Sequence, residues 1–279
     1  MIGAQDGVEA VALGLGVQRL DVAVDVAQCG GAGAEGDHRA RAGHVPVGLD
    51  VDGDVQLARH GVEGAIPSPD ADPAEGVHQL AGRPPHAIDV YLLGDVLVDA
   101  GTPSARRRIL RQLTGRDVRT HVVTHAHPDH FGSSQAVCEA LGLPLWTGEV
   151  DAEALETGRP VPAASRVPAL LARMKMPPGH PVARRLREGD EVGPGFVVLD
   201  APGHSPSHIA LWRQSDRTLV CGDVFFNVPS LRPPPPPLTF DPARNRESMR
   251  RLAARRPALA LFGHGPPLRD PERMLRMTD

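Results

Sequence analysis

The sequence predicts a layered α/β fold, and three observations carry that prediction. Five apolar runs of strand length each lead into a residue able to bind a metal or accept a hydrogen bond: Asp99, His125, His204, Asp223 and His264. Segments with helical periodicity and capping chemistry lie between those runs, as strand–helix alternation requires. In layered α/β folds functional groups gather at the carboxyl ends of strands, so the five termini are expected to converge on one site.

Each element can be justified in turn. Residues 87–93 and 95–99 read as two strands turning at Gly94, and 103–113 as a helix with arginines on its wet face. A strand over 118–124 delivers the segment His-Ala-His-Pro-Asp-His at 125–130. Ser133 or Ser134 is expected to cap a helix that runs to Leu141 and stops at Gly142. Helices are expected at 149–157 and 164–175, before the break Pro177-Pro178-Gly179, and this insert should overhang the site and shape a substrate pocket. Strands near 195–200, 208–213 and 217–222 follow, then a helix at 243–255 and a last strand into His264. The run 233–237 should be polyproline II, read as a stiff spacer at the pocket rim in preference to an SH3-type ligand.

The segment 125–130 is the strongest chemical signal. Residues two apart on an extended chain point the same way, so His125 and His127 can close on one ion, while Pro128 bends the backbone away. Asp129 and His130 can then face a second ion, at the separation of about 3.5–4 Å typical of paired hydrolytic metals. Imidazole with carboxylate suits zinc, with manganese or iron possible, and disfavours calcium and magnesium. A tag would be terminal and consecutive, and a solvated loop would not sit between a strand and a helix. His204 and His208 are four apart, but Pro206 argues against a helix joining them, so His208 is expected to start a strand and bond locally. His121 reads as structural, His86 and His180 as loop residues, and Cys221 as a small buried hydrophobe.

Composition frames these signals. Hydrophobic residues make up 41% of 279, enough for a core in part of the chain. Residues 1–76 lack Phe, Tyr, Trp and Lys, so they have little to bury against chain entropy. They are expected to be a poorly structured extension or the product of a mis-assigned upstream start. The second reading is favoured by arginine-rich, GC-type usage in which Lys175 is the only lysine. The catalytic domain is expected to be 77–279, with His38, His44 and His60 incidental. A net charge of −4 and the lack of a basic extension argue against nucleic acid as partner. The first residues lack the pattern of a secretion signal and no span suits a membrane helix, while Cys29, Cys138 and Cys221 form no close pair. A cytoplasmic protein with a small-molecule substrate and no membrane partner is expected.

The ordered stretches VDAGT (98–102), THAHPDHFG (124–132), APGHS (201–205), CGDVFF (221–226) and FGHG (262–265) resemble the metallo-β-lactamase-fold hydrolases, most closely the glyoxalase II-like branch. The resemblance implies a four-layer αββα sandwich with a dinuclear centre along one edge. It makes His125, His127 and His204 ligands of a first metal and Asp129, His130 and His264 ligands of a second, with Asp223 bridging. Asp99 becomes the carboxylate that orients a ligand histidine without touching metal. Asp129 and Asp223 would be the catalytic carboxylates, steadying a bridging hydroxide. An aspartate at 223 points away from β-lactam hydrolysis, where the family carries Cys or Ser. Phe225 and Phe226 stand where lactone-cleaving relatives carry tyrosine, which favours thioester or other carboxylic ester substrates. Full glyoxalase II enzymes add a C-terminal domain for which no room is expected after His264. A mononuclear iron persulfide dioxygenase using His125, His204 and Asp223, and a non-catalytic metal-binding module, are the alternatives.

Overall fold

The computed structural model describes residues 72–159 and 176–278, with a short backbone ladder pairing β1 (Gly48–Leu49) and β2 (Val55–Gln56). Most of 1–76, its three histidines and the helix expected at 164–175 lie outside the described residues. From Val77 the chain builds two large sheets, with β13 (Phe226–Asn227) and β14 (Leu231–Arg232) pairing as a separate two-stranded ladder. The first holds six strands in the order β3 (Val77–Leu80), β4 (Val90–Leu93), β5 (Val96–Val98), β6 (Thr120–Val123), β7 (Leu145–Gly148) and β8 (Val182–Leu186). The second has the order β15 (Leu259–Leu261), β12 (Thr218–Val220), β11 (Ile209–Arg213), β10 (Phe196–Asp200) and β9 (Glu191–Val192). β3, β7, β8 and β9 were not among the expected strands, because each is short or, in β8, interrupted by the adjacent Arg184 and Arg185.

Three apolar layers hold the sheets and helices together. The inner faces meet through Tyr91, Leu93, Val98 and Val122 of the first sheet and Phe196, Val198, Leu211 and Leu261 of the second. Outside the first sheet pack α1 (Arg106–Leu113), α3 (Ser134–Leu141) and α4 (Asp151–Thr157), through Ile109, Leu113, Val137 and Leu155. Outside the second pack α5 (Pro242–Ala253) and α6 (Pro271–Thr278), through Met249, Leu252 and Met274. The architecture is therefore an αββα sandwich. Burying each large aliphatic or phenyl side chain contributes about 1.5–3 kcal/mol against chain entropy.

Local chemistry sets the element ends. α1 buries Ile109 and Leu113 and leaves Arg106, Arg107 and Arg111 outside, the wet face expected of it. α5 starts where the Asp241 carboxylate accepts the Ala243 and Arg244 N–H groups, both at 3.0 Å, with Pro242 in the first turn. α3 stops at Gly142, whose φ of 67° only glycine adopts easily. The serine cap expected for α3 does not form: Ser133 Oγ instead donates to Thr102 O at 2.6 Å, tying α3 to the turn after β5. The proline run leaves polyproline II early, since 236–238 form a 3₁₀ turn.

Two polar groups inside the sandwich lock neighbouring layers. Tyr91 Oη donates to Phe262 O at 2.8 Å, pinning the first sheet to the turn that follows β15. His121, fully buried, sits on β6 with Nδ1 3.1 Å from Leu97 O and Nε2 2.8 Å from Ser134 Oγ. A neutral ring donating to the first and accepting from the second satisfies both. Burial lowers its pKa from 6.5 to about 4. The folded pKa is depressed, so this contribution is complete above pH 6.5 and is lost as pH falls from there to about 4, by on the order of 3 kcal/mol. We therefore expect the stability advantage of the native chain over His121→Gln, measured by urea unfolding, to shrink across that window. A pH-independent difference would contradict the assignment.

Candidate metal centre

The site forms where strands of both sheets end on one edge of the sandwich. β6 delivers Thr124 and His125, and the turn continues through His127 into a short helix α2 (Pro128–Phe131). The sequence led us to expect a plain bend at Pro128; the structure has a helical turn, with the His130 and Phe131 N–H groups donating to His127 O at 2.9 and 3.1 Å. Proline suits the first turn of a helix because its missing N–H is not needed there. That turn brings Asp129 and His130 beside His264, with the His130 ring 4.1 Å from that of His125. β10 leads through a loop to His204, β12 through Cys221 and Gly222 to Asp223, and β15 through Phe262 and Gly263 to His264.

Asp223 Oδ2 is the centre of the arrangement. Four imidazole nitrogens surround it: His264 Nε2 at 3.2 Å, His130 Nε2 and His204 Nε2 at 3.3 Å, and His125 Nε2 at 3.8 Å. On one side His127 Nδ1 lies 3.1 Å from His125 Nε2 and 2.9 Å from His204 Nε2. On the other, Asp129 Oδ2 lies 3.3 Å from His264 Nε2 and 3.9 Å from His130 Nε2, and the two imidazole nitrogens are 3.4 Å apart. The donor atoms fall into three overlapping groups, His125–His127–His204, His125–His130–Asp223 and Asp129–His130–His264, each within 4.8 Å. All seven residues expected as ligands are thus brought together.

The donors fit metal ions. Three imidazole nitrogens converging within about one hydrogen-bond length cannot all be satisfied by shared protons, but suit a cation between them. Asp223 Oδ1 is buried with no hydrogen-bond partner, a costly state for a carboxylate unless a charge lies beside it. Burial, reinforced by neighbouring imidazoles, holds His127 at about 3 and His125 well below the ordinary value, so both keep the lone pairs that ligation needs. Burial opposes ionisation of Asp223, but His130 and His264 overcome it and hold that carboxyl well below the usual range. Burial would lower the pKa of His264, but Asp223 and Asp129 lift it to about 10. The carboxylates draw positive charge into the pocket, the demand that divalent cations meet.

Supporting groups fix these donors. Asp99, with a left-handed φ of 60°, accepts the Thr124 N–H at 2.8 Å and lies 2.9 Å from His130 Nδ1, which turns His130 Nε2 toward the centre. The resemblance implied an orienting carboxylate at Asp99, and such a carboxylate acts through a contact of this kind to the far nitrogen of a histidine. His208 is no part of the three groups: its Nε2 accepts the Asp223 N–H at 3.0 Å, and its ring stacks on His125 with centroids 4.8 Å apart. Cys221 is fully buried in the apolar layer under α5, with its thiol pKa pushed far up by burial. His86, expected to be a loop residue without a partner, lies 3.0 Å from Gln79 Nε2 and 3.5 Å from Asp89 Oδ1. Phe226 lies beside the donor cluster, its ring 4.6 Å from that of His264, while Phe225 is buried in the apolar layer under α5. Gly263 escaped the sequence reading although glycine is obligatory there: a Cβ would stand 2.1 Å from Asp223 Oδ1 and 2.6 Å from His130 Cε1.

Two stacked sheets flanked by helices, with a histidine–aspartate donor cluster on one edge, define a metal-binding αββα sandwich. Residues 83–264 match the family model of the Metallo-beta-lactamase superfamily, and the chain belongs to that superfamily. It is similar to the probable metallo-hydrolase YflN of Bacillus subtilis (strain 168), 26% identical over 230 residues, covering 70% of this chain and 86% of that protein. It is also similar to the hydroxyacylglutathione hydrolase of Methylococcus capsulatus, 30% identical over 145 residues, covering 49% of this chain and 47% of that enzyme. Among solved structures, TTHA1623 in a di-iron-bound form is 29% identical with a TM-score of 0.53, covering 69% of this chain and 94% of that one. By family and relatives the chain is a hydrolase of this superfamily, which binds divalent metals. Among the described residues no helix is long and apolar enough to cross a membrane.

Two substitutions test the geometry. Gly263→Ala should displace Asp223 and His130, so metal uptake measured by elemental analysis should fall while overpacking costs about 1–3 kcal/mol of stability. Asp99→Asn should weaken metal affinity about 10–100-fold in chelator competition; unchanged affinity would remove Asp99 from the support of His130.

Proposed function

We propose that the chain is a dinuclear metal-dependent hydrolase acting on an ester-type bond, with a thioester or other carboxylic ester of a small molecule as substrate. The observation that carries this reading is the position of Asp223 Oδ2, within 3.3 Å of imidazole nitrogens from both ligand groups, so that one carboxylate can serve two ions. His125, His127 and His204 would hold the first ion, Asp129, His130 and His264 the second, and Asp223 both. Zinc suits this mixture of imidazole and carboxylate, with manganese or iron possible; iron is the metal in the TTHA1623 structure.

Two such ions supply Lewis acidity toward a carbonyl oxygen and lower the pKa of water toward about 7. The protein's own groups divide the remaining work by exposure. Asp223, its side chain 3% exposed, can hold charge and orientation but has little room to exchange protons with solvent. Asp129, at 32%, reaches both the centre and the open side, so its carboxylate is placed to take a proton from the attacking water and return it to the leaving group. Phe226 lies against His264 and offers an apolar wall in place of a phenol. Tyr91, the only tyrosine, has its hydroxyl committed to Phe262 O between the sheets. This leaves no phenolic donor of the lactone-cleaving type, and supports thioester or simple carboxylic ester chemistry.

Zinc- or manganese-reconstituted protein is expected to hold two ions per chain and to hydrolyse members of a panel of thioesters, lactones, carboxylic esters and phosphodiesters. Fewer than two ions with no hydrolysis across the panel would sink the proposal; one iron with oxygen uptake on a persulfide would replace it with the dioxygenase reading. His127→Ala should lose hydrolysis while its circular dichroism spectrum stays native, and an equally active variant would refute the ligand assignment.

A further inference from the structure

The sequence offered Asp151 only as part of a helix expected at 149–157, yet its carboxylate is fully buried at the start of α4 and joins the two segments that carry His125, His127 and His204. The Ala126 N–H, on the residue between His125 and His127, donates to Asp151 Oδ2 at 2.9 Å. Ser205 Oγ, on the residue after His204, donates to the same oxygen at 2.6 Å. Ser207 donates to Asp151 Oδ1 twice, from its backbone N–H at 3.0 Å and from its hydroxyl at 3.1 Å. The Ser207 hydroxyl oxygen in turn accepts the Val150 and Asp151 N–H groups at 2.9 and 2.8 Å, closing a ring between the His204 loop and the start of α4. Gly148 makes this approach possible, since a Cβ there would stand 2.1 Å from Ser207 O.

The two halves of the site are therefore supported differently. His130 is oriented through its own ring by Asp99, and His125 Nδ1 lies 3.1 Å from Thr124 Oγ1; among the described residues no acidic side chain lies within ion-pair distance of the His127 ring, and the Asp223 contacts of His125 and His204 are to the bridging carboxylate. What sets the spacing within the His125–His127–His204 group is the backbone that carries it, clamped from two directions on one anion. A carboxylate with four protein donors sits rigidly, because each bond limits the movement the others allow.

We infer that Asp151 is a positioning residue for the first ion, setting the spacing between the 125–127 turn and the 204 loop without touching the ion or the substrate. This rests on the dinuclear reading above. Its consequence is selective: loosening Asp151 should weaken the first ion and spare the second, whose residues Asp129, His130 and His264 it does not contact. Ligand-orienting groups typically affect metal affinity about 10–100-fold.

The test uses the full-length, metal-stripped chain titrated with zinc against a chromophoric chelator, which resolves stepwise constants. Ser205→Ala removes one donor from Asp151 and leaves the carboxylate in place; Asp151→Asn removes its charge. Both should weaken one step about 10–100-fold, the step that His127→Ala abolishes, and leave the other unchanged. In cobalt-substituted protein the visible bands should change in the same variants. Wild-type constants in both variants overturn the inference, as does equal weakening of both steps, which marks a general loss of structure. If Asp151→Asn does not fold, Ser205→Ala decides alone. A wild-type chain that takes up a single ion refutes the dinuclear reading instead. The Asp151 inference is then decided on that one step, which must weaken in Ser205→Ala for it to stand.

Discussion

One buried carboxylate constrains the rest of this molecule. Asp223, taken out of water with one oxygen unpaired and the other ringed by four imidazoles, would be strongly unfavourable in an apolar sandwich without positive charge beside it. Around that demand the other features become intelligible. His208 exists to hold the Asp223 backbone, Gly263 to leave space against its oxygen, and Gly222 to let the His208 ring approach, since a Cβ there would stand 2.7 Å from it. The fold resolves the problem by bringing five loops from two sheets to a single edge.

The support of the donors follows a division by layer. The first sheet and the helices on its outer face carry Asp99, Asp151 and Ser134, the groups that hold the 121–130 stretch from behind. The second sheet supplies Asp223 and the loops of His204 and His264 on an otherwise apolar scaffold. Tyr91 crosses between them to the carbonyl of Phe262, two residues before His264. His264 Nδ1 also makes a short contact with Ala87 O from the loop before β4. Neither sheet contains a complete donor set, so the integrity of the interface between them decides whether the site exists.

Much of this was legible before any coordinates. The runs leading into His125, Asp223 and His264 are apolar and end abruptly in residues with ligand chemistry, and each run is a strand in the structure. The expected ligands converged because strand ends in a layered fold have one place to go. What escaped the sequence was long-range or steric. β7 and β8 are strands only because the sheet already has an edge to receive them, and β8 holds the adjacent arginines Arg184 and Arg185, which break any apolar–polar alternation and read equally as surface loop. Gly263 is dictated by an oxygen belonging to residue 223, and Asp151 by loops some 25 and 54 residues away. Ser133 misled because a serine before a helix reads as a cap, while tertiary packing gave its hydroxyl a better acceptor in Thr102.

His130 and His264 stand 134 residues apart in the chain and 3.4 Å apart in space. An ion held by both would close a loop running from α2 to just beyond β15, and closure of so long a loop would remove a large share of the unfolded chain's freedom. Ion binding and folding are thereby linked thermodynamically: occupancy raises stability in proportion to the logarithm of free metal over its dissociation constant. β15 ends the sheet, paired along its length to β12 and on its other side only through the Ala260–Leu268 bridge, so an ion held there would act as a staple on the strand at the sheet's edge. Metal supply would then govern how much folded protein is present as well as how fast it works.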